Sequence, residues 1–372
     1  MARYAALEEA HTAQQLRGVV MGTSRDDLMD AVQGLGQSIP TAISIATDAC
    51  KRCVAFTEGC AFPGLIKALK VYFSSYLDLY SGVLRQLEAN RAEHETWNVF
   101  QMCLTLLQTT GELLIELKRL DQDLIQNILE CSRKESFNAF ITILLVPLAQ
   151  QELRQLISAI QDGVTSSCLE SVTLSVEKFC REVHYTTYKV IFSPVSLLLD
   201  TASHSWSAPP SKAASYAHNM PDYSFAPQEY ITEIGEYLMT LPQHLEPFLM
   251  RDNPALTGAL HVGGGEGAAA QAGGGGGFAD LLLGMVARGT CQTYLDHILA
   301  VSQLTPAASK QLAIDIKYLG NVLEDLGFGL LDSLQHVSVL LKVPAEEYQS
   351  QTTGAPPKLV AAVRQMRNIP ST

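Results

Sequence analysis

Leu65-Ile66-Lys67-Ala68-Leu69-Lys70-Val71-Tyr72-Phe73-Ser74-Ser75-Tyr76-Leu77-Asp78-Leu79-Tyr80 repeats its apolar residues every three or four positions. The steps Leu65, Leu69, Tyr72, Tyr76, Leu79, Val83 and Leu87 lay one stripe along an α-helix. Ile66, Phe73, Leu77, Tyr80 and Leu84 widen that stripe. A stripe of this breadth buries itself against two neighbours at once. The segment therefore predicts a helix inside a bundle or a helical rod.

The next segment follows the same period through Trp97, Phe100, Leu104, Leu107, Gly111, Leu114, Leu117, Leu120, Leu124 and Ile128. Neither run alternates with a period of two, so the expected fold class is all-α, an elongated helical-bundle rod without strands. Breaks are expected at Pro40, at the Phe62-Pro63-Gly64 corner and at Gly163. Asp26-Asp27 would open the first well-defined helix, since acidic residues suit its positive end.

Further along, the pattern divides the chain into three parts. Residues 1–200 read as a helical rod domain. Residues 201–226 are rich in Ser and Pro, lack an apolar period and read as a linker. Residues 227–372 read as a C-terminal helical bundle. Within it a helix is expected from about Pro227 to Leu241, ended by Pro242, with a flexible Gly-rich insertion over 261–277. Thr305-Pro306 reads as an N-cap followed by proline in the first turn, and Gly327 as a stop. Leu330, Leu334, Val337 and Leu341 mark another helix, and a short one near Leu359 to Met366 closes the chain.

Composition narrows the function. The chain has 372 residues, ample for a large core, and 47% of them are hydrophobic. Its formal charge is −12 and its pI about 5.2, which argues against nucleic acid and against electrostatic attraction to anionic lipid. A small basic set, Lys358, Arg364 and Arg367, reads as a solvated helix face. The longest apolar runs, Ile141 to Leu148 and Val195 to Leu199, fall far short of the roughly 20 residues that span a bilayer. No secretory signal peptide is read at the start, so the eight cysteines are expected to be reduced.

Cys50-Lys51-Arg52-Cys53 with nearby Cys60 lacks the fourth ligand a zinc site wants, and Cys50 and Cys53 share a face that packing explains. Asp121-Gln122-Asp123 has the look of a cation-holding acidic pair, but it sits inside a helical stripe. Glu112 and Glu116, one turn apart beside Lys118, read as a charged surface. The tracts Gly263-Gly264-Gly265 and Gly273 to Gly277 lack the Lys-Ser/Thr pair of a phosphate loop. His184, His204, His218, His244, His261, His297 and His336 show no ligand spacing. No catalytic, cofactor-binding or metal residue is assigned, and no cofactor is expected.

One block carries more information than its chemistry. It opens with Pro227, Glu229, Tyr230 and Ile231, continues with Leu241-Pro242 and Leu245-Glu246-Pro247-Phe248, then Gln292-Thr293-Tyr294. It ends with Lys310-Gln311-Leu312-Ala313, Asp315-Ile316, Tyr318-Leu319 and Val343-Pro344 through Tyr348. This block resembles the C-terminal end of the family of the seventh subunit of the oligomeric Golgi tethering complex. A second region is similar to the same family: Cys53-Val54-Ala55-Phe56-Thr57, Gly64-Leu65, Ala68-Leu69-Lys70 and Gly111-Glu112-Leu113-Leu114. The polar residues of the C-terminal block read as helix surface, and its Leu-Glu-Pro-Phe segment as a corner.

The resemblance implies the helical-rod fold of tethering complexes and a non-catalytic role in intra-Golgi retrograde vesicle transport, Golgi organisation and glycosylation-enzyme recycling. It implies peripheral association with the Golgi membrane through partners. Those partners would be the fifth, sixth and eighth subunits of the complex, with SNAREs and Rab proteins as further contacts. The family's members run about twice this length, so the chain is expected to be a fragment, a truncated gene model or a shortened form. Two rivals remain at this point: a subunit of another tethering complex such as the exocyst, and an all-α enzyme acting on a lipid or isoprenoid.

Overall fold

A computed structural model describes residues 4–23, 27–89, 95–144, 146–206, 226–249, 253–269, 277–352 and 354–370. Among the described residues there is no strand, as the apolar stripes require. The helices are α1 (Tyr4–Thr23), α2 (Leu28–Thr57), α3 (Phe62–Ala89), α4 (Thr96–Ser132), α5 (Phe137–Leu144), α6 (Pro147–Gln161) and α7 (Glu170–Trp206). They continue with α8 (Glu229–Leu249), α9 (Pro254–Ala269), α10 (Phe278–Ala300), α11 (Pro306–Asp325), α12 (Asp332–Lys342), a 3-10 helix (Ala345–Thr352) and α13 (Pro357–Met366). None is long and apolar enough to cross a membrane.

The chain forms two compact units. One comprises residues 1–187 and 252–269, the other 188–251 and 270–372. In the first unit α1 packs on α2 and α3, α2 on α3 and α4, and α6 on α3 and α4. The broad stripe of α3 is buried as its pattern demands: Leu65, Leu69, Tyr76, Tyr80 and Leu87 are fully enclosed. The phenols are enclosed only because they have partners. Tyr76 meets the hydroxyl of Ser38 at 2.6 Å, and Tyr72 donates to the carbonyl of Ala42 at 3.1 Å. α9 packs along α4 in the same unit. The two backbones approach so closely that a Cβ on Gly111 would stand 2.1 Å from the carbonyl oxygen of Ala255. Only glycine fits position 111.

In the second unit α8 packs on α10 and α11, and α12 packs on α10, α11, the 3-10 helix and α13. Thr305 caps α11 by accepting the N–H of Ala308 at 3.1 Å, and Gly327 at φ +86° stops the chain after it.

The prolines behave differently from expectation. α2 starts on Asp27, which accepts the N–H of Met29, but then runs through Pro40 without a break. Pro40 is exposed, so the carbonyl bond it forgoes lies on the solvent side of the helix. α8 likewise continues through Pro242 and Pro247 to Leu249, so the expected stop and corner do not occur. Buried Leu241 and Leu245 hold the segment to its neighbours while each proline gives up one ladder bond.

The linker expected over 201–226 lies mostly outside the described residues; 201–206 close α7. The Gly-rich stretch over 261–277 starts differently. Residues 261–269 continue α9, and 270–276 lie outside the described residues. Gly263 stays helical because α9 packs closely there: a Cβ on it would come within 2.7 Å of the His184 side chain.

Candidate functional site

The N-terminus of α8 leaves its first N–H groups without helical acceptors. Asp315, on the buried face of α11, takes one of them: its carboxylate accepts the N–H of Gln228 at 3.0 Å. The same carboxylate accepts the side-chain amide of Gln311 at 3.0 Å and the hydroxyl of Tyr230 at 3.0 Å. Tyr230 and Tyr294 meet through their hydroxyls at 2.7 Å. Since Tyr230 spends its one proton on Asp315, Tyr294 is the donor to Tyr230. The result is a relay from α10 through α8 to α11. Trp206 packs against both phenol rings, with centroids 5.8 Å from each.

Burial raises the Asp315 carboxyl above its usual range, and the three donors pull it back. Burial also pushes the Tyr230 hydroxyl far above the ordinary phenol range, with Tyr294 and Asp315 adding to the rise. A phenol held neutral and a carboxylate with both oxygens already bonded make a structural knot, with no free acid or base. Gln228 to Asp315 therefore ties α8 to α11 in the way a cap ties a helix to itself. The reading of this block's polar residues as helix surface is thus overturned for Asp315. The missed signal is an Asp at the position of an apolar stripe, four residues after Gln311.

The other candidates separate in the same manner. Asp121 is buried and accepts the N–H groups of Cys168 at 2.9 Å and Leu169 at 3.0 Å, just ahead of α7. Asp123 is exposed on the other side of α4, so the two do not converge on a cation. Glu112 accepts the amide of Gln108 at 2.9 Å, and Lys118 faces Glu177 at 3.4 Å. Cys50 and Cys53 are buried, and burial pushes their thiols up to about 12 and about 11. Thiols so raised stay protonated at neutral pH and make poor ligands and nucleophiles. Among the described residues no group of three or more His, Cys, Asp or Glu side chains could hold a metal ion.

The start of α10 could have served an anion, but Asp280 occupies it by accepting the N–H of Gly277 at 3.1 Å. His297 lies 3.1 Å from Asp200. His218 and Gly273 to Gly276 are outside the described residues. The basic set at the end is less solvated than expected. Lys358 is exposed, but Arg364 and Arg367 stand over the ring of Tyr348 at 5.6 and 5.9 Å, and Arg367 donates to the carbonyl of Leu340. Tyr348 in turn donates to the carbonyl of Val360 at 2.9 Å.

Buried carboxylates that hold helix ends, together with all-helical packing, define a class: an all-α helical scaffold. Within that class, the chain belongs to the Golgi complex component 7 (COG7) family, whose model matches residues 1–165 and 149–368. It is 31% identical over 387 residues to the Drosophila melanogaster protein "Conserved oligomeric Golgi complex subunit 7", covering 100% of this chain and 50% of that one. The Rattus norvegicus protein of the same name is 30% identical over 415 residues, covering 99% and 53%. The Arabidopsis thaliana protein of that name is 25% identical over 397 residues, covering 89% and 46%. The chain thus spans about half the length of the curated relatives it matches.

Proposed function

We propose that this chain acts as part of a non-catalytic subunit of the oligomeric Golgi tethering complex. In this role it supports intra-Golgi retrograde transport, and with it Golgi organisation and the recycling of glycosylation enzymes. Its working parts are helix faces that bind partner helices. The fifth, sixth and eighth subunits of the complex are the direct partners, and SNAREs and Rab proteins are met through the assembled complex. Association with the Golgi membrane is peripheral, on its cytosolic face.

The observation that carries this reading is the family match along both units, joined to the fate of the family-like residues. Tyr230, Tyr294 and Asp315 are spent on fixing α8, α10 and α11, so the block supports a role in shape and contact. An enzyme would need a polar group left free to act, and the buried carboxylates of Asp121 and Asp315 are already bonded. The test is replacement of the matching half of a relative by this chain in cells lacking that relative. Restored surface glycosylation, read by lectin binding, is the expected result. Unrestored glycosylation at normal protein level would contradict the reading.

A further inference from the structure

Arg133-Lys134-Glu135-Ser136-Phe137 leads from the end of α4 through a turn into α5. Residues 133–136 are all exposed, while Phe137 is buried as the first residue of α5. No other arginine of the chain has a serine or threonine three positions after it. The cassette is a substrate pattern of Ser/Thr kinases that read charge. A basic pair stands three and two positions before the hydroxyl, and a large apolar residue directly after it. A proline-directed kinase would need proline where Phe137 stands. An acid-directed kinase would find only Phe137-Asn138-Ala139 downstream.

A kinase cleft takes its substrate in extended form, so the turn has to open, and few bonds hold it shut. The Phe137 N–H donates to the carbonyl of Lys134 at 3.0 Å, and the Phe140 N–H to that of Ser136 at 3.1 Å. α5 has eight residues, well under the roughly 12–15 that an isolated helix needs, and Phe137 and Ile141 anchor it. Its opening is a local event that leaves α4 in place.

Lys134 also ties this turn to α2. Its ammonium lies 3.8 Å from the carboxylate of Glu58, and both side chains are substantially exposed. Glu58 caps the C-terminus of α2 in the left-handed region, at φ +51°. Gly59 follows it and presses on the end of α4: a Cβ there would stand 3.0 Å from that of Cys131. The ends of α2 and α4 therefore meet at this corner, with the Lys134–Glu58 pair on its solvent side.

We propose that Ser136 is a phosphorylation site for an arginine-directed Ser/Thr kinase, and that its phosphate draws Lys134 away from Glu58. The bond from the γ-phosphorus of ATP to the β,γ-bridging oxygen breaks, and one to the Ser136 Oγ forms. ADP leaves, and the hydroxyl proton passes to solvent through the base of the kinase. The product carries a charge of about −1.5 to −2 beside Arg133 and Lys134. It also stands at the first turn of α5, whose N–H groups lack helical acceptors. An exposed carboxylate at 3.8 Å holds a lysine weakly, and the phosphate outcompetes it. α5 tightens and the α2–α4 corner loosens. This inference goes beyond the tethering reading and stands without it.

The test incubates the full chain with Mg-ATP and the catalytic subunit of cyclic-AMP-dependent kinase, and locates the product by peptide mass spectrometry. One phosphoryl group on Ser136 is expected. Ser136→Ala should remove it, and Arg133→Ala should slow it by about tenfold or more. In the phosphorylated chain, amide exchange is expected to slow across α5 and to quicken at Glu58 and Gly59. Lys134→Ala without phosphate should reproduce the second change. Labelling of a peptide spanning 130–141 but not of the folded chain would overturn the site, as would no labelling of either. Labelling of Ser136 with unchanged exchange at Glu58 and Gly59 would overturn the transfer of Lys134.

Discussion

Tyr230 donates its hydroxyl proton to Asp315, 3.0 Å away and 85 positions further along the chain. That bond joins the start of α8 to the middle of α11 and orients the Tyr294 hydroxyl behind it. Asp315→Ala would take the acceptor from the Gln228 N–H and from the half-buried Tyr230 hydroxyl, while Gln311 keeps the carbonyl of Ala226. A loss of about 3 kcal/mol is expected, measured by denaturant unfolding. Asp315→Asn should cost less. The relay can run backwards, with the new amide donating to Tyr230 and Tyr230 to Tyr294.

The same carboxyl has a pH signature. Because burial raises its folded-state pKa above the ordinary 3.8, folding takes up protons as pH falls toward and below that raised value. The Asp315 contribution to stability therefore increases on acidification, and Asp315→Asn should flatten that part of the stability curve.

His184 has the opposite sign. Burial lowers its pKa below 6.5, so the unfolded chain takes up a proton that the folded chain resists. Its neutral form costs nothing above the ordinary value, and stability falls as pH drops from about 6.5 toward the lowered pKa. His184→Gln should remove this loss, measured as urea midpoints across pH 7 to 5.

Gly111 faces the Ala255 carbonyl oxygen across α4 and α9, where backbone meets backbone and neither side can swing away. Gly111→Ala should force α9 off α4 and cost about 2–3 kcal/mol, the upper end of ordinary overpacking. Earlier proteolytic cutting around α9 would be the companion readout.

Asp121 holds the N-terminal side of α7 through two backbone N–H groups. Asp121→Ala should cost about 1–2 kcal/mol, as loss of a helix cap does. Asp123→Ala, on the exposed side of the same helix, should stay within about 0.5 kcal/mol.

The helical class was legible in the chain because its cause is local. A period such as Leu65, Leu69, Tyr72 and Tyr76 admits one secondary structure, and Thr305-Pro306 and Gly327 mark ends by their own chemistry. What escaped the sequence depends on distant partners. Pro40, Pro242 and Pro247 look like breaks in isolation, yet packing on either side carries α2 and α8 through them. Asp315 looks like a surface acid until α8 brings Gln228 and Tyr230 against it. Arg364 and Arg367 read as solvated until Tyr348 is placed beneath them. The burial of Cys50 and Cys53 was legible too, from their spacing on an apolar face.

The central claim is that this chain works by helix-to-helix contact within the Golgi tethering complex. Its most direct test is co-expression with the fifth, sixth and eighth subunits, followed by affinity capture of this chain and gel filtration. At least one of the three should remain bound in a fixed ratio through the column. Separate elution of all three from a folded chain would contradict the account.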